Sequence, residues 1–332
     1  MSSTRKPRKS TTRKASNQPA RDIYQEVTDR MVAALEKGTV PWRKPWSSRK
    51  SGALQNLITG YRYRGINVLL LTLSAWENGF SSPYWLTKNQ IIEAGGTWSG
   101  KGTQITLWRR ILVTEIDEQT RQPVKKVIPL LKHFYVWSYE QTEGVKLPKK
   151  VVEAQNTETT FEHTPIEEAE AVVDRYAADG GPQIRYVDAD RAFYVPATDI
   201  LTVPPRTAYA NQDEYYATLF HEMGHSTGHE SRLARKYGTQ FGSHDYGREE
   251  LVAEMTSAFL QAETGIESAE SNSAAYLQSW IRTIKEDTKA VVVAAGAAQR
   301  AADLILGRSF DAEAQEDTTD APEGSEAPQQ AA

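Results

Sequence analysis

The sequence predicts an α+β protein with two domains, and three observations support this prediction. The chain has 332 residues, which is enough for two domains of ordinary size, each with its own core. Patterns typical of helices and patterns typical of strands occur in both halves, so neither half is all-α or all-β. A polar segment without periodicity, at 146–164, separates the halves and is interpreted as a linker.

The first half contains a basic arm followed by a domain at 21–145. Residues 1–20 hold no acid and little apolar content, so we expect them to be disordered. Apolar residues recur every four positions from Ile23 to Leu35, which indicates a helix over about 22–37. Two further helices are predicted at 66–80 and 86–96, and two long strands at 104–116 and 125–141.

The second half contains a domain at 165–308 followed by an acidic tail. Pro165 in the first turn and glycines at the end indicate a helix at 165–181. The prolines of the strand-like segment 191–204 favour a position at the edge of a sheet. Residues 309–332 hold acids and no base, so we expect a disordered tail. The remaining predicted elements are a strand at 183–188 and helices at 211–226, 247–263 and 272–306.

The composition excludes several kinds of site and location. The chain has no cysteine, which rules out disulfides and cysteine-ligated zinc, so a metal site needs histidine and carboxylate ligands. The basic N-terminus is not followed by the apolar region of a signal peptide. The longest apolar stretch, at 290–298, is too short to cross a bilayer. We therefore expect a cytoplasmic protein without a membrane partner.

Charge is divided unevenly between the two halves. Residues 1–150 hold 26 Lys and Arg against 11 Asp and Glu, a net charge of +15. Residues 151–332 hold 13 against 32, a net charge of −19. This asymmetry predicts an anionic partner for the first half. Mutual attraction of the halves, or solubility, would explain it equally well.

The strongest local signal is the motif H-E-M-G-H at 221–225. His221 and His225 are four residues apart, so on a helix their imidazoles lie on one face, a turn apart, and can meet one Zn²⁺. Glu222 is rotated by about 100° from His221. There it can accept a proton from an attacking water and pass it to a leaving amine. The motif predicts a metal centre with Glu222 as its catalytic residue.

A catalytic zinc site needs a third protein ligand, and the sequence offers several. Glu250 and Glu254 are four residues apart on the predicted helix at 247–263, beside apolar residues. We assign Glu250 as the ligand and Glu254 as the acceptor of a histidine ring N–H. The reverse assignment, His229 and His244 are alternatives. Zn²⁺ is the expected metal and Mn²⁺ the alternative, because two histidines and a glutamate suit both.

Tryptophans and cations are interleaved in the first half, which holds seven of the eight tryptophans. Bases stack on aromatic faces while cations follow the phosphates, so this combination is typical of proteins that bind single strands without reading their bases. Trp76 in an apolar helix and Trp137 in a strand are interpreted as core residues instead. The predicted DNA-binding residues are Trp42, Arg43, Lys44, Trp46, Arg62, Tyr63, Arg64, Asn67, Trp85, Lys88, Lys101 and Trp108.

Together these motifs resemble the antirestriction protein ArdC family. The resemblance extends from about Asp22 to about Gly265 and rests on PWRKPW, NLITGYRYRGIN, YWLTKNQ and GGTWSGKGTQITLW, followed by HEMGHSTGHESRL and REELVAE. It implies an N-terminal domain that binds single-stranded DNA and a C-terminal domain similar to zincin metallopeptidases. On the matching positions it implies functional residues at Trp42, Trp46, Asn56, Gly60, Tyr63, Gly65, Asn67 and Lys101, and at His221, Glu222, His225 and the EELVAE helix.

The resemblance implies a protein of a plasmid or another mobile element that protects incoming DNA from restriction endonucleases. Protection could follow from coating the single strand or from acting on the endonuclease. The acidic second domain would repel DNA, which favours a peptide as its substrate. The alternative is an accessory protein of conjugative transfer, related to primases, that binds single-stranded DNA and whose metal site is only structural.

Overall fold

The computed structural model describes most of both predicted domains. The described residues are 22–42, 54–116, 121–149, 151–152, 165–235, 244–266 and 274–309. The predicted basic arm, most of the predicted linker and the acidic tail from residue 310 onwards lie outside them. No helix within these ranges is long and apolar enough to cross a membrane.

The described residues of the first half contain the three predicted helices and a four-stranded mixed sheet, of which only the two long strands were predicted. The third helix begins at Lys88, because Leu86 and Thr87 belong to a short strand of the sheet. The Asp22 side chain caps the first helix by accepting hydrogen bonds from the amides of Tyr24 and Gln25. The helices are α1 (Ile23–Glu36), α2 (Ile66–Asn78) and α3 (Lys88–Glu93). The strands are β1 (Gln55–Asn56), β2 (Tyr84–Thr87), β3 (Thr97–Trp98), β4 (Thr103–Ile116), β5 (Pro123–Ser138) and β6 (Thr142–Glu143). The strand order of the sheet is β1-β2-β5-β4, with β1 parallel to β2 and the other pairs antiparallel.

The two long predicted strands are confirmed as the hairpin β4–β5. Its register runs from Thr103 opposite Val136 to Ile116 opposite Pro123. Near its base the hairpin packs against α2, whereas Leu112, Ile116 and Val127 near its far end are exposed. Strands β3 and β6 form a separate small ladder beside this sheet.

The second half combines five helices with a three-stranded sheet in the described ranges. The elements are α4 (Pro165–Ala178), β7 (Gln183–Tyr186), β8 (Phe193–Val195), β9 (Ile200–Val203), α5 (Gln212–Ser226), α6 (His244–Thr264), α7 (Ala274–Glu286) and α8 (Ala290–Ile305). The sheet has the order β7-β9-β8, with β7 parallel and β8 antiparallel to β9. The predicted helices at 165–181, 211–226 and 247–263 are confirmed.

Two predictions for this half need correction. The segment 191–204 is two strands, because Asp199 adopts a left-handed conformation (φ 52°) and turns the chain between them. Of these two strands, β8 lies at an edge of the sheet and β9 is central. The single helix predicted at 272–306 is interrupted after α7, where the Asp287 carboxylate accepts a hydrogen bond from the Lys289 amide.

The largest hydrophobic core contains residues from both halves, so the described part of the second half shares its core with the first and the prediction of one core per domain is wrong for it. Met31 and Leu35 of α1 and Leu69 of α2 lie in the same cluster as Phe220 of α5 and Val291 of α8. Two smaller clusters lie within the first half, around Trp85 and around Leu86. The helices of the second half therefore complete the core of the first.

Candidate metal centre and nucleic-acid surface

Helix α5 holds the H-E-M-G-H motif against helix α6. The Asn211 side chain caps α5 by accepting a hydrogen bond from the Glu214 amide at 2.8 Å. Gly224 lies at a close contact between the two helices, since a Cβ there would be 3.1 Å from Cα of Ala253. This close packing places Glu250, one turn before Ala253 on α6, beside both histidines of α5.

The side chains of His221, His225 and Glu250 converge on one point. Their potential ligand atoms all lie within 4.8 Å of one another. The two histidine Nε2 atoms are 3.1 Å apart. Glu250 oxygens are 3.5 Å from Nε2 of His225 and 3.7 Å from Nε2 of His221. Metal–ligand bonds of 2.0–2.2 Å in a tetrahedron put ligand atoms about 3.3 to 3.6 Å apart, so the three residues fit a divalent ion.

Each histidine also has a carboxylate beside its second ring nitrogen. Glu254 lies 3.6 Å from Nδ1 of His221, in the place expected for the residue that orients this ring. Glu249, which sequence reasoning missed, lies 3.4 Å from Nδ1 of His225. Arg235 holds Glu249 in turn, with Nη2 donating to its Oε1 at 2.7 Å. The sequence did contain a signal for Glu249. Each of two metal-binding histidines needs an acceptor for its second ring N–H, and Glu249 directly precedes Glu250.

The carboxylates dominate the electrostatics of the cluster. Burial disfavours a charged His225, but hydrogen bonds to Glu249 and Glu250 outweigh burial and raise the pKa of this imidazole to about 10. Burial would raise the pKa of Glu250, yet hydrogen bonds with His225 and Tyr246 hold that pKa below its usual value. A divalent ion would therefore displace a proton from the site.

Glu222 lies beside this cluster, on the partly exposed side of α5. Burial, followed by the charge of the nearby Glu222, raises the pKa of the Tyr209 phenol. Among the alternative ligands, His229 instead has its Nδ1 2.8 Å from the Ser231 hydroxyl and is not part of the group that could hold an ion. The side chain of His244 lies outside the described residues.

Three aromatic residues predicted to bind DNA are core residues, so that prediction is wrong for them. The exposed fractions of Trp42, Tyr63 and Trp85 are 4%, 7% and 0%. Trp42 packs edge-to-face on Trp280, with ring centroids 5.3 Å apart. A base cannot stack on these rings unless the fold opens. Sequence reasoning expected Trp76 in the core, yet Trp76 is 50% exposed. Trp137 is partly buried against the cluster around Leu86, as expected.

Two polar residues of the YRYRGIN segment make structural contacts instead of facing a ligand. Arg64 forms an ion pair with Asp303 of α8, and both side chains are largely buried. The side-chain amide of Asn67 pairs with the backbone of Thr106 at the open edge of β4. Its Nδ2 donates to the Thr106 carbonyl at 2.7 Å, and its Oδ1 accepts from the Thr106 backbone amide at 2.7 Å. These contacts explain both residues without DNA.

Four of the predicted DNA-binding residues are accessible. Arg62, Lys88 and Lys101 are exposed, and Trp108 is 49% exposed with its ring 6.3 Å from that of Tyr24. Lys88 lies over the ring of Trp98, a tryptophan that was not among the predicted residues. Arg43, Lys44 and Trp46 lie outside the described residues.

Two family models match the chain, one in each half. The N-terminal domain of anti-restriction factor ArdC matches residues 21–137. A zincin-like metallopeptidase matches residues 168–297. The second match includes the whole converging group of His221, His225 and Glu250.

Among curated proteins, the chain is 36% identical over 301 residues to DNA primase TraC of Escherichia coli. This match covers 86% of the chain and 27% of the primase, so the chain spans about a quarter of that relative. It is 29% identical to protein y4eC of Sinorhizobium fredii (strain NBRC 101917 / NGR234), with 89% of the chain and 95% of y4eC covered.

Solved structures extend the match over nearly a whole protein. Antirestriction ArdC from the R388 plasmid, in its metal-free form, superimposes with a TM-score of 0.68 at 38% identity, over 86% of this chain and 97% of that one. The Mn(II)-bound form gives a TM-score of 0.67 at 35% identity over the same shares. The agreement covers both halves and the fold that carries the metal centre, and the chain therefore belongs to the ArdC family of antirestriction proteins.

Proposed function

We propose that this protein protects incoming plasmid DNA from restriction endonucleases. In this proposal the first half binds single-stranded DNA without sequence preference, and the second half is a metal-dependent peptidase that acts on a protein substrate in the cytoplasm. The restriction endonuclease is the expected substrate. The observation that carries the proposal is the convergence of His221, His225 and Glu250 in a chain that belongs to the ArdC family.

Charge and relatives support the DNA-binding part of the proposal. The net charge of +15 on residues 1–150 favours a polyanionic partner. Lys88, Lys101 and Trp108 remain accessible after folding, so rings and cations are available together. DNA primase TraC, which matches over most of this chain, is itself named for an activity on nucleic acid.

The arrangement of side chains supports peptide hydrolysis in the second half. A divalent ion bound by His221, His225 and Glu250 would polarise a substrate carbonyl, and Zn²⁺ and Mn²⁺ both suit these ligands. Glu222 would accept a proton from the attacking water and deliver it to the leaving amine. Arg235 and Glu249 would fix the orientation of His225.

The test is the plating efficiency of phage on a restricting host that expresses the wild type, Glu222→Gln or the control Glu230→Gln. Glu230 is an exposed carboxylate five residues after His225, so its substitution should have no effect. We expect the wild type and Glu230→Gln to protect, and Glu222→Gln to lose protection with unchanged folding and metal content. Full protection by Glu222→Gln would contradict the hydrolytic part. Failure of the wild type would contradict the antirestriction function.

The match to DNA primase TraC favours a second candidate function. In this case the protein assists strand transfer in conjugation by binding single-stranded DNA, and the metal only stabilises the fold. Conjugation frequency would then be unchanged in Glu222→Gln, while a chelator would lower the melting temperature of the protein. Unchanged melting on chelation would contradict this alternative.

A further inference from the structure

A pair of tryptophans lies beside the small ladder of the first half. The ring centroids of Trp98 and Trp137 are 5.7 Å apart, with an interplanar angle of 55°. Both rings are partly exposed. The Lys88 ammonium lies 5.2 Å from the centroid of the Trp98 ring, and Lys88 has no ion-pair partner among the described residues. An aromatic surface and a lysine ammonium are therefore adjacent.

The turn Gly100–Lys101–Gly102 is fixed against this pair. The Trp137 indole N–H donates to the Gly100 carbonyl at 3.4 Å. The Gln141 side chain donates to the carbonyls of Ser99 and Lys101, each at 3.2 Å. Gly102 has no room for a side chain, because a Cβ there would be 2.9 Å from the Trp137 ring. The turn is therefore held in one conformation by the ring and by Gln141.

The carbonyls of Gly100 and Lys101 accept hydrogen bonds, but the amides of the turn donate none within the described residues. In the described part of the chain, the amides of Gly100, Lys101 and Gly102 have no hydrogen-bond partner. Gly100 has a φ of +71°, a conformation that lets successive amides point to one side. With the Lys101 ammonium exposed at the same turn, this is the chemistry that holds a phosphate group.

We propose that Lys88, Trp98, Lys101 and Trp137, here called the tryptophan platform, bind one nucleotide step of a single strand. A base stacks on the exposed part of Trp98, and the adjacent phosphate contacts the turn at Lys101. The inference rests on the proposed DNA-binding function and locates it away from the buried Trp42 and Trp85. A base reaches a recessed ring beside a turn only when it is unstacked, so the platform selects single strands over duplex.

The test measures the affinity of the full chain for a fluorescent oligo-dT over a range of salt concentrations. Trp98→Ala should weaken binding about 5- to 100-fold and leave the salt dependence unchanged, because it removes stacking and no charge. Lys88→Ala and Lys101→Ala should each weaken binding and reduce the slope of log K against log salt by about 0.7. Trp98→Leu and the two lysine variants keep the test valid if Trp98→Ala does not fold.

Lys132→Ala is the control, because Lys132 is an exposed lysine on β5 outside the platform. Its affinity should stay within about twofold of the wild type, as expected for one distant charge. If the wild type binds oligo-dT and the platform variants bind equally well, the platform is wrong and the proposed function stands. If the wild type does not bind, the proposed function itself fails. Equal competition by duplex DNA or by polyglutamate would overturn the platform, because neither presents an unstacked base.

Discussion

Replacing Gly224 by alanine should separate the two helices of the metal centre. The added Cβ would lie 3.1 Å from Cα of Ala253, 3.2 Å from Cβ of Thr256 and 3.3 Å from the Ala253 carbonyl oxygen. These atoms belong to the backbone of α6 or lie next to it, so no side-chain rotation relieves the contacts. Helix α6 has to move by a few tenths of an ångström, and Glu250 moves with it.

Two opposing contributions determine the change in the free energy of unfolding. Alanine favours a helix by about 1 kcal/mol relative to glycine. Overpacking of a tight contact costs about 1 to 3 kcal/mol. We therefore expect the free energy of unfolding to fall by about 0 to 2 kcal/mol. Metal affinity should fall more clearly, by about tenfold, the lower end of the loss that follows when a residue supporting a metal ligand is replaced.

Calorimetric titration with Zn²⁺ measures the metal affinity, and urea unfolding in the presence of a chelator measures the free energy of unfolding. Gly296→Ala is the matched control, because a Cβ at this position of α8 has only the end of Arg300 within 4 Å, at 3.9 Å. The control should keep its metal affinity and gain up to about 1 kcal/mol of stability. Wild-type metal affinity in Gly224→Ala would show that the spacing of α5 and α6 does not position Glu250.

Three further substitutions test the contacts around both functional regions. Glu249→Gln should lower Zn²⁺ affinity about 10- to 100-fold in the same titration, and an unchanged affinity would mean that Glu249 does not orient His225. Arg64→Met should cost about 3 kcal/mol in urea unfolding, because the buried Asp303 carboxylate loses its ion pair with Arg64 and keeps the Gln299 side chain as a donor. Its oligo-dT affinity should be unchanged, and loss of binding with normal stability would contradict the structural role of Arg64. Hydrogen bonding to Arg232 lowers the pKa of Asp199, so this carboxylate stabilises the fold above its unfolded pKa of about 3.9 and the effect is lost as pH falls through the lower folded value. The stability deficit of Asp199→Asn should thus be larger at pH 7 than at pH 3, and an equal deficit would refute the linkage.

The metal centre was predictable from the sequence because its geometry is mostly local. Two histidines at a spacing of four on a capped helix must share a face, whatever the rest of the fold does. Glu250 required one further step, because it is contributed by a second helix, but its position beside apolar residues indicated a face directed at the protein. Glu249 does not follow from the same pattern, because it is rotated by about 100° from Glu250 on the helix and so lies on a different face.

The DNA-binding residues were harder to predict because exposure is decided by tertiary packing. Trp42 lies between proline and cations, as a surface residue would, yet α7 covers it with Trp280. Trp76 lies in an apolar helix, as a core residue would, yet neighbouring elements leave half of it exposed. The sequence does not predict the break after α7, because no glycine or proline interrupts 286–290.

The shared core connects the two halves physically. Helix α8 packs against α6, which carries Glu250, and also against α1 and α2 of the first half. At this contact Gly65 approaches the Ala295 carbonyl to 3.6 Å from its ideal Cβ position, and its amide donates to the Gln299 side chain at 3.0 Å. Separating the halves would break these bonds and expose the apolar residues of α1. The YRYRGIN segment therefore attaches the first half to the half that carries His221, His225 and Glu250. Under the proposed function, a strand bound to the first half would stay close to a protein substrate of the second.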